Sequence, residues 1–77
     1  MDDMIRHERI RKQLEFFKSQ DQAVHVLFSN IGDRNTFFNG KVQTILPDQF
    51  VIVDRKKGAS LVFFDDIKEL SKFGGSL

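Results

Sequence analysis

The chain contains no cysteine, no tryptophan, no tyrosine and only one proline in 77 residues. Without cysteine there are no disulfides, no thiolate metal sites and no cysteine nucleophile, and the chain suits a reducing compartment. No apolar run approaches the ~18 residues needed to span a bilayer. The opening stretch MDDMIRHERIRK is acidic and then basic with no apolar core. It therefore does not read as a signal peptide, and the expected location is cytoplasmic. A chain of this length makes one domain, residues 1–77, near the lower limit for folding without staples or partners.

What is present is phenylalanine and clustered charge. Nine Phe supply stacking faces without a hydrogen-bonding handle. The net charge is +1, yet Arg6, Arg9, Arg11, Lys12 and Lys18 gather in the first quarter and Arg55-Lys56-Lys57 form a second cluster. Local basic patches on a near-neutral domain can hold phosphates, although a charged run is also an ordinary solvated face.

Residues from about 3 to 18 read as a helix. Asp2 and Asp3 suit its positive end, and Ile10, Leu14 and Phe17 fall at i, i+4, i+7 as one apolar stripe. The polar KSQDQ ends it. The period then changes to two. AVHVLFSN (23–30) sets Val24, Val26 and Phe28 against His25 and Leu27. NIGDRN is a loop. TFFNGKVQTI (36–45) is a second strand, where Gly40 implies a bend, a bulge or a close backbone approach. QFVIVDR (49–55) puts Phe50, Ile52 and Asp54 on one side. KKG reverses the chain with Gly58 at positive φ. ASLVFF (59–64) is the fourth strand, Asp65-Asp66 a break, and IKEL (67–70) the fifth. Residues 72–77 are expected to be a frayed tail. The fold class is mainly β: one helix capping a five-stranded, strongly bent antiparallel barrel over about 23–71.

Nothing in the pattern points to catalysis. His7 and His25 have no ligand spacing, and adjacent Asp65 and Asp66 would point to opposite faces of a strand. No Gly-rich phosphate loop and no nucleophile elbow is present. No enzyme activity, metal, cofactor or small-molecule substrate is therefore expected. The apolar fourth strand raises a different issue. An exposed edge such as SLVFF is a liability unless another edge pairs with it, and a second copy can supply that edge. Repetition of such a contact closes into a ring.

Taken in order, the helix, AVHVLFSN, FFNGKV, DQFVIV and LVFFDDI resemble the Sm-like family, and within it the Hfq-type bacterial RNA chaperones. Asp48-Gln49-Phe50-Val51-Ile52 matches a string at the family's third strand. Gly40-Lys41-Val42 matches its second-strand glycine signature, and Ser29-Asn30 falls where its first strand ends. The resemblance spans residues 4–71. It implies a non-catalytic homo-oligomeric ring of roughly five to seven subunits that binds single-stranded RNA and acts in RNA chaperoning or riboregulation.

On that basis Phe50 is the base-stacking candidate and Asn30 a hydrogen-bonding one. Arg34, Lys41, Arg55, Lys56 and Lys57 are phosphate candidates. A core role for Phe50 stands beside the stacking one. Leu61, Val62, Phe63, Phe64, Ile67 and Leu70 are the expected subunit contacts. The chain departs from the family where Tyr-Lys-His-Ala-Ile is replaced by Phe63-Phe64-Asp65-Asp66-Ile67, which sets acid where phosphate would bind. Leu27 stands where the family has a purine-stacking Tyr. The alternative is a protein-interaction or scaffold ring of the same fold without RNA binding. A monomeric SH3-like peptide binder fits less well, because such grooves use Tyr and Trp.

Overall fold

A computed structural model describes residues 2–29 and 35–74, with side chains from Ile5 onward. Helix α1 (Asp2–Ser19) is followed by β1 (Val24–Ser29), β2 (Asn35–Ile45), β3 (Gln49–Asp54) and β4 (Gly58–Phe63). A single 3-10 turn, Phe64–Asp66, leads into β5 (Ile67–Lys72). The side chains of Asp2 and Asp3 lie outside the described residues, as does the loop at 30–34.

The helix ends as its sequence requires. Asp21 takes a left-handed φ of 53°. Gln22 N–H donates to Phe17 O at 2.9 Å and Asp21 N–H to Lys18 O at 3.1 Å, a Schellman closure that satisfies the last carbonyls. Ile10 and Leu14 are buried and Phe17 packs beside them. α1 thus lies against β2 and the 3-10 turn, covering one end of the sheet's core. No helix among the described residues is long and apolar enough to cross a membrane.

The strands form one antiparallel sheet in the order β4-β3-β2-β1-β5. Alternation sorts the faces: Val24, Val26, Phe28, Val42, Phe50, Ile52 and Val62 turn inward and join Phe64 and Ile67 in one core. β2 serves both halves of the sheet, its residues 35–40 pairing with β1 and its residues 40–45 with β3. Gly40 is the pivot. A Cβ there would sit 1.8 Å from Val53 O, so the close backbone approach anticipated from the sequence is present.

The expected barrel is not closed. β4 and β5 stand at opposite ends of the strand order and share no ladder. The reason lies in the link between them. Instead of a hairpin, the 3-10 turn drops Phe64 into the core and its N–H donates to Asp48 O at 2.9 Å. This corner sends β5 across to β1. Among the described residues the sheet therefore presents two free edges, each on a six-residue strand. At the far end β5 continues to Lys72, and Phe73 N–H donates to Ala23 O at 3.0 Å. Residues 72 and 73 are thus tied to the sheet rather than frayed.

Candidate nucleic-acid interface

The face of β1 and β2 turned away from the core carries His25 and Leu27 opposite Asn39 and Phe37. Phe37 is 47% exposed, whereas its neighbour Phe38 packs inward against the Phe28 ring at 5.8 Å between centroids. Adjacent strand residues point to opposite faces, so only one ring of this pair can reach the core. The His25 ring lies tilted against Phe37 at 5.7 Å. Its Nδ1 is 2.6 Å from Asn39 Oδ1. A carbonyl oxygen can only accept, so Nδ1 carries the hydrogen and the Asn39 amide N–H groups face away from the imidazole.

The turn between β3 and β4 brings the second basic cluster to this surface. Asp54, at the end of β3, organises it. Its Oδ2 accepts Asn39 N–H at 2.9 Å, and its Oδ1 accepts Lys56 N–H at 2.7 Å and Lys57 N–H at 3.1 Å. Gly58 closes the turn at φ 85°. The Asn39, Lys56 and Lys57 backbone donors hold the Asp54 carboxyl below the usual carboxylate range, aided by the Lys57 charge and opposed by desolvation. A depressed folded pKa stabilises the fold above the unfolded value of about 3.9, and that contribution is lost as pH falls through the folded pKa. Asp54→Asn is accordingly expected to lower the urea midpoint at pH 7, with the difference between the two proteins narrowing at pH 3. A constant difference at both pH values would reject the assignment.

With the turn fixed, Lys57 bends back over the aromatic pair. Its ammonium lies 4.2 Å from the Phe37 centroid and 4.9 Å from that of Phe38, and it donates to the Phe37 carbonyl. Arg55 and Lys56 are exposed and their side chains make no ion pair among the described residues. Phe37, Asn39, Arg55, Lys56, Lys57 and Phe73 line a groove of about 380 Å³. It runs on into a larger one of about 910 Å³ along Lys41, Val53 and Gln22, with Asn39, Arg55 and Phe73 common to both.

The residues expected from the sequence fall in different places. Arg55, Lys56 and Lys57 share this groove. Lys41 borders its extension but pairs with Asp21 at 3.0 Å, an exposed contact of small energetic weight. Phe50 is 0% exposed and sits in the core with its ring 6.3 Å from that of Phe64, so the core role, not the stacking one, describes it here. Asn30 and Arg34 lie outside the described residues. Among the expected contact residues, Leu61 and Phe63 are each 48% exposed on β4. Val62, Phe64 and Ile67 are instead buried in the chain's own core, and Leu70 packs against it.

Phe37, Asn39 and Phe73 were not singled out by the sequence. The signal for Phe37 was available: counting back by twos from Val42 through Gly40 and Phe38 leaves Phe37 and Asn39 outward. Phe73 carries no such signal, because its position depends on the Ala23 contact.

At the other end of the sheet, Asp65 does not stand as an unanswered acid. His7 Nε2 lies 2.6 Å from its Oδ1, and the His7 ring meets Phe64 edge-on at 5.5 Å. Arg6 donates to Ile67 O at 2.8 Å. The cleft there, lined by Arg6, Ser29, Asp65, Asp66 and Lys68, therefore mixes both signs of charge. Asp65 and Asp66 form the corner itself, as the turn role expects, and so do not sit on opposite faces of a strand.

No family model matches the chain, and no curated protein is significantly similar to it.

Proposed function

We propose that this chain is an Sm-like protein, akin to the Hfq-type RNA chaperones, that assembles edge to edge into a cytoplasmic homo-oligomeric ring and binds single-stranded RNA without catalysis. The observation that carries the reading is the open antiparallel sheet with free β4 and β5 edges at its two ends. Free edges with exposed apolar side chains are avoided in proteins that remain single. β4 offers Leu61 and Phe63 beside Val53, all exposed on one side of the ladder. Gln49, opposite Phe63, holds a buried Oε1 with no partner among the described residues. A neighbouring edge would cover the apolar groups and bring donors near that oxygen. The basic aromatic groove supplies the surface for RNA, since single strands are held by cationic grooves with stacking platforms.

The test combines native mass with RNA titration. The wild type is expected at a multiple of 9.0 kDa, and Leu61→Asp with Phe63→Asp is expected to return it to the monomer mass. Fluorescence anisotropy with labelled oligo-U and oligo-A should give micromolar or tighter binding that weakens with salt, as phosphate binding releases counterions. A monomeric wild type would reject the ring. A ring that binds neither RNA at low salt would be the scaffold reading instead, which Asp66 favours as an acid without an ion pair among the described residues.

A further inference from the structure

We infer that the groove between β2 and the β3–β4 turn is a nucleobase pocket: a base stacks on Phe37, the Asn39 amide donates to its edge, and Arg55 and Lys56 hold the adjoining phosphate. The inference rests on the RNA reading above and names the site within it.

Four observations bear on it. First, two half-exposed phenylalanines, Phe37 at 47% and Phe73 at 45%, line one groove of about 380 Å³. That is the size range of clefts for small ligands, about 300–1,000 Å³. A half-exposed apolar ring on each wall is a platform for a flat partner, and every base has a π-face to offer. Second, the groove's charge is complementary to a phosphodiester. Arg55, Lys56 and Lys57 surround it, and the one acid in its lining, Asp54, is buried and spent on three backbone N–H groups. No carboxylate in this lining is left free to repel an anion.

Third, the polar group beside the platform has a defined direction. His25 Nδ1–H occupies Asn39 Oδ1, so the amide N–H groups are the part of Asn39 available to a ligand. They make no hydrogen bond among the described residues, and ring nitrogens and carbonyl oxygens of bases are suitable acceptors. Fourth, Lys57 already places a cation over the Phe37 ring. A base arriving on that face replaces the ammonium there, and the flexible Lys57 stem lets the charge move to the backbone phosphate. The groove's second aromatic wall is held in place from the backbone. Phe73 N–H donates to Ala23 O, and Gln22 Nε2 donates to Phe73 O at 3.2 Å.

Phe37→Leu tests the platform, because the residue is exposed and leucine keeps an apolar side chain opposite Leu27. Circular dichroism and native mass establish that the variant is folded and assembled like the wild type. Oligo-A carrying one 2-aminopurine is titrated alongside the unlabelled bases, and its emission reports stacking independently of affinity. The expected result is weakening of about fivefold to a hundredfold in Phe37→Leu, with loss of the 2-aminopurine signal change. Asn39→Ala, which keeps the strand but removes the donor, is expected to weaken binding while the emission change persists. Arg55→Glu with Lys56→Glu should weaken binding to every oligomer and flatten its salt dependence. If the wild type binds, the Glu variant does not, and Phe37→Leu equals the wild type in both affinity and emission, the pocket is refuted while the RNA reading stands. A wild type that binds neither RNA at low salt overturns both together.

Discussion

Replacing Gly40 with alanine is expected to lower the melting temperature by more than about 12 °C, or to prevent folding outright. The new Cβ would lie 1.8 Å from Val53 O and 2.6 Å from Val53 C, and both are backbone atoms that no rotamer change can move aside. β3 would have to withdraw from β2 at Gly40↔Asp54 and Lys41↔Val53. The same shift pulls the Asp54 carboxylate away from Asn39 N–H and loosens the turn that carries the basic cluster. Overpacking a core usually costs about 1–3 kcal/mol, and a clash with backbone belongs at or beyond the upper end. For a domain of this size about 1 kcal/mol corresponds to 4–8 °C. Gly58 is the control. Nothing lies within 4 Å of a Cβ there, and only its φ of 85° resists a side chain. Gly58→Ala should therefore cost about 1–2 kcal/mol, and Gly58→Asn less. Equal melting temperatures for Gly40→Ala and the wild type would mean that the two strands do not approach as described.

The strands were legible because one buried face imposes a period of two. Val24, Val26 and Phe28, then Phe50, Ile52 and Asp54, sort onto the core side as their spacing requires. Helix α1 was legible from Ile10, Leu14 and Phe17, and the turn at Gly58 from its neighbours in sequence. Closure was not. Whether β4 meets β5 depends on the corner at Phe64–Asp66, where one phenylalanine enters the core and redirects the chain. That choice is made by three-dimensional packing, not by local pattern.

The candidate site was legible only in its charges. Arg55-Lys56-Lys57 stood out as a cluster, but its direction comes from Asp54, whose role as the acceptor of three backbone N–H groups has no sequence signature. The resemblance points to Phe50 for the aromatic part, while the exposed ring of the groove is Phe37. His7 and Asp65 show the same limit. They are 58 residues apart in the chain, and no spacing rule connects them.

Phe50→Ala is expected to destabilise the fold by about 3–5 kcal/mol, as truncation of a buried phenylalanine does. The ring is fully buried, its residue pairs across the ladders with Val62 and Ile45, and it packs against Phe64 beneath the helix-covered end of the sheet. At about 0.05–0.15 kcal/mol per residue, a chain of this size has a total stability of roughly 4–12 kcal/mol. The substitution therefore removes a large share of it. Loss of RNA binding in Phe50→Ala would then report unfolding rather than a missing stacking partner. Phe50→Leu separates the two. It keeps most of the apolar volume, so the chain should remain folded with a lowered urea midpoint. If Phe50 is a core residue, Phe50→Leu binds RNA as the wild type does, whereas the equally folded Phe37→Leu does not. If Phe50 stacks on a base in the assembled ring, the affinities reverse, with Phe50→Leu weakened by about 1–3 kcal/mol. That outcome would require the β3 core to open on assembly, and hydrogen exchange at Phe50 and Val51 would then be faster in the RNA-bound ring than in the free protein. Slower or unchanged exchange there, with binding retained, places recognition on the outer face of β2.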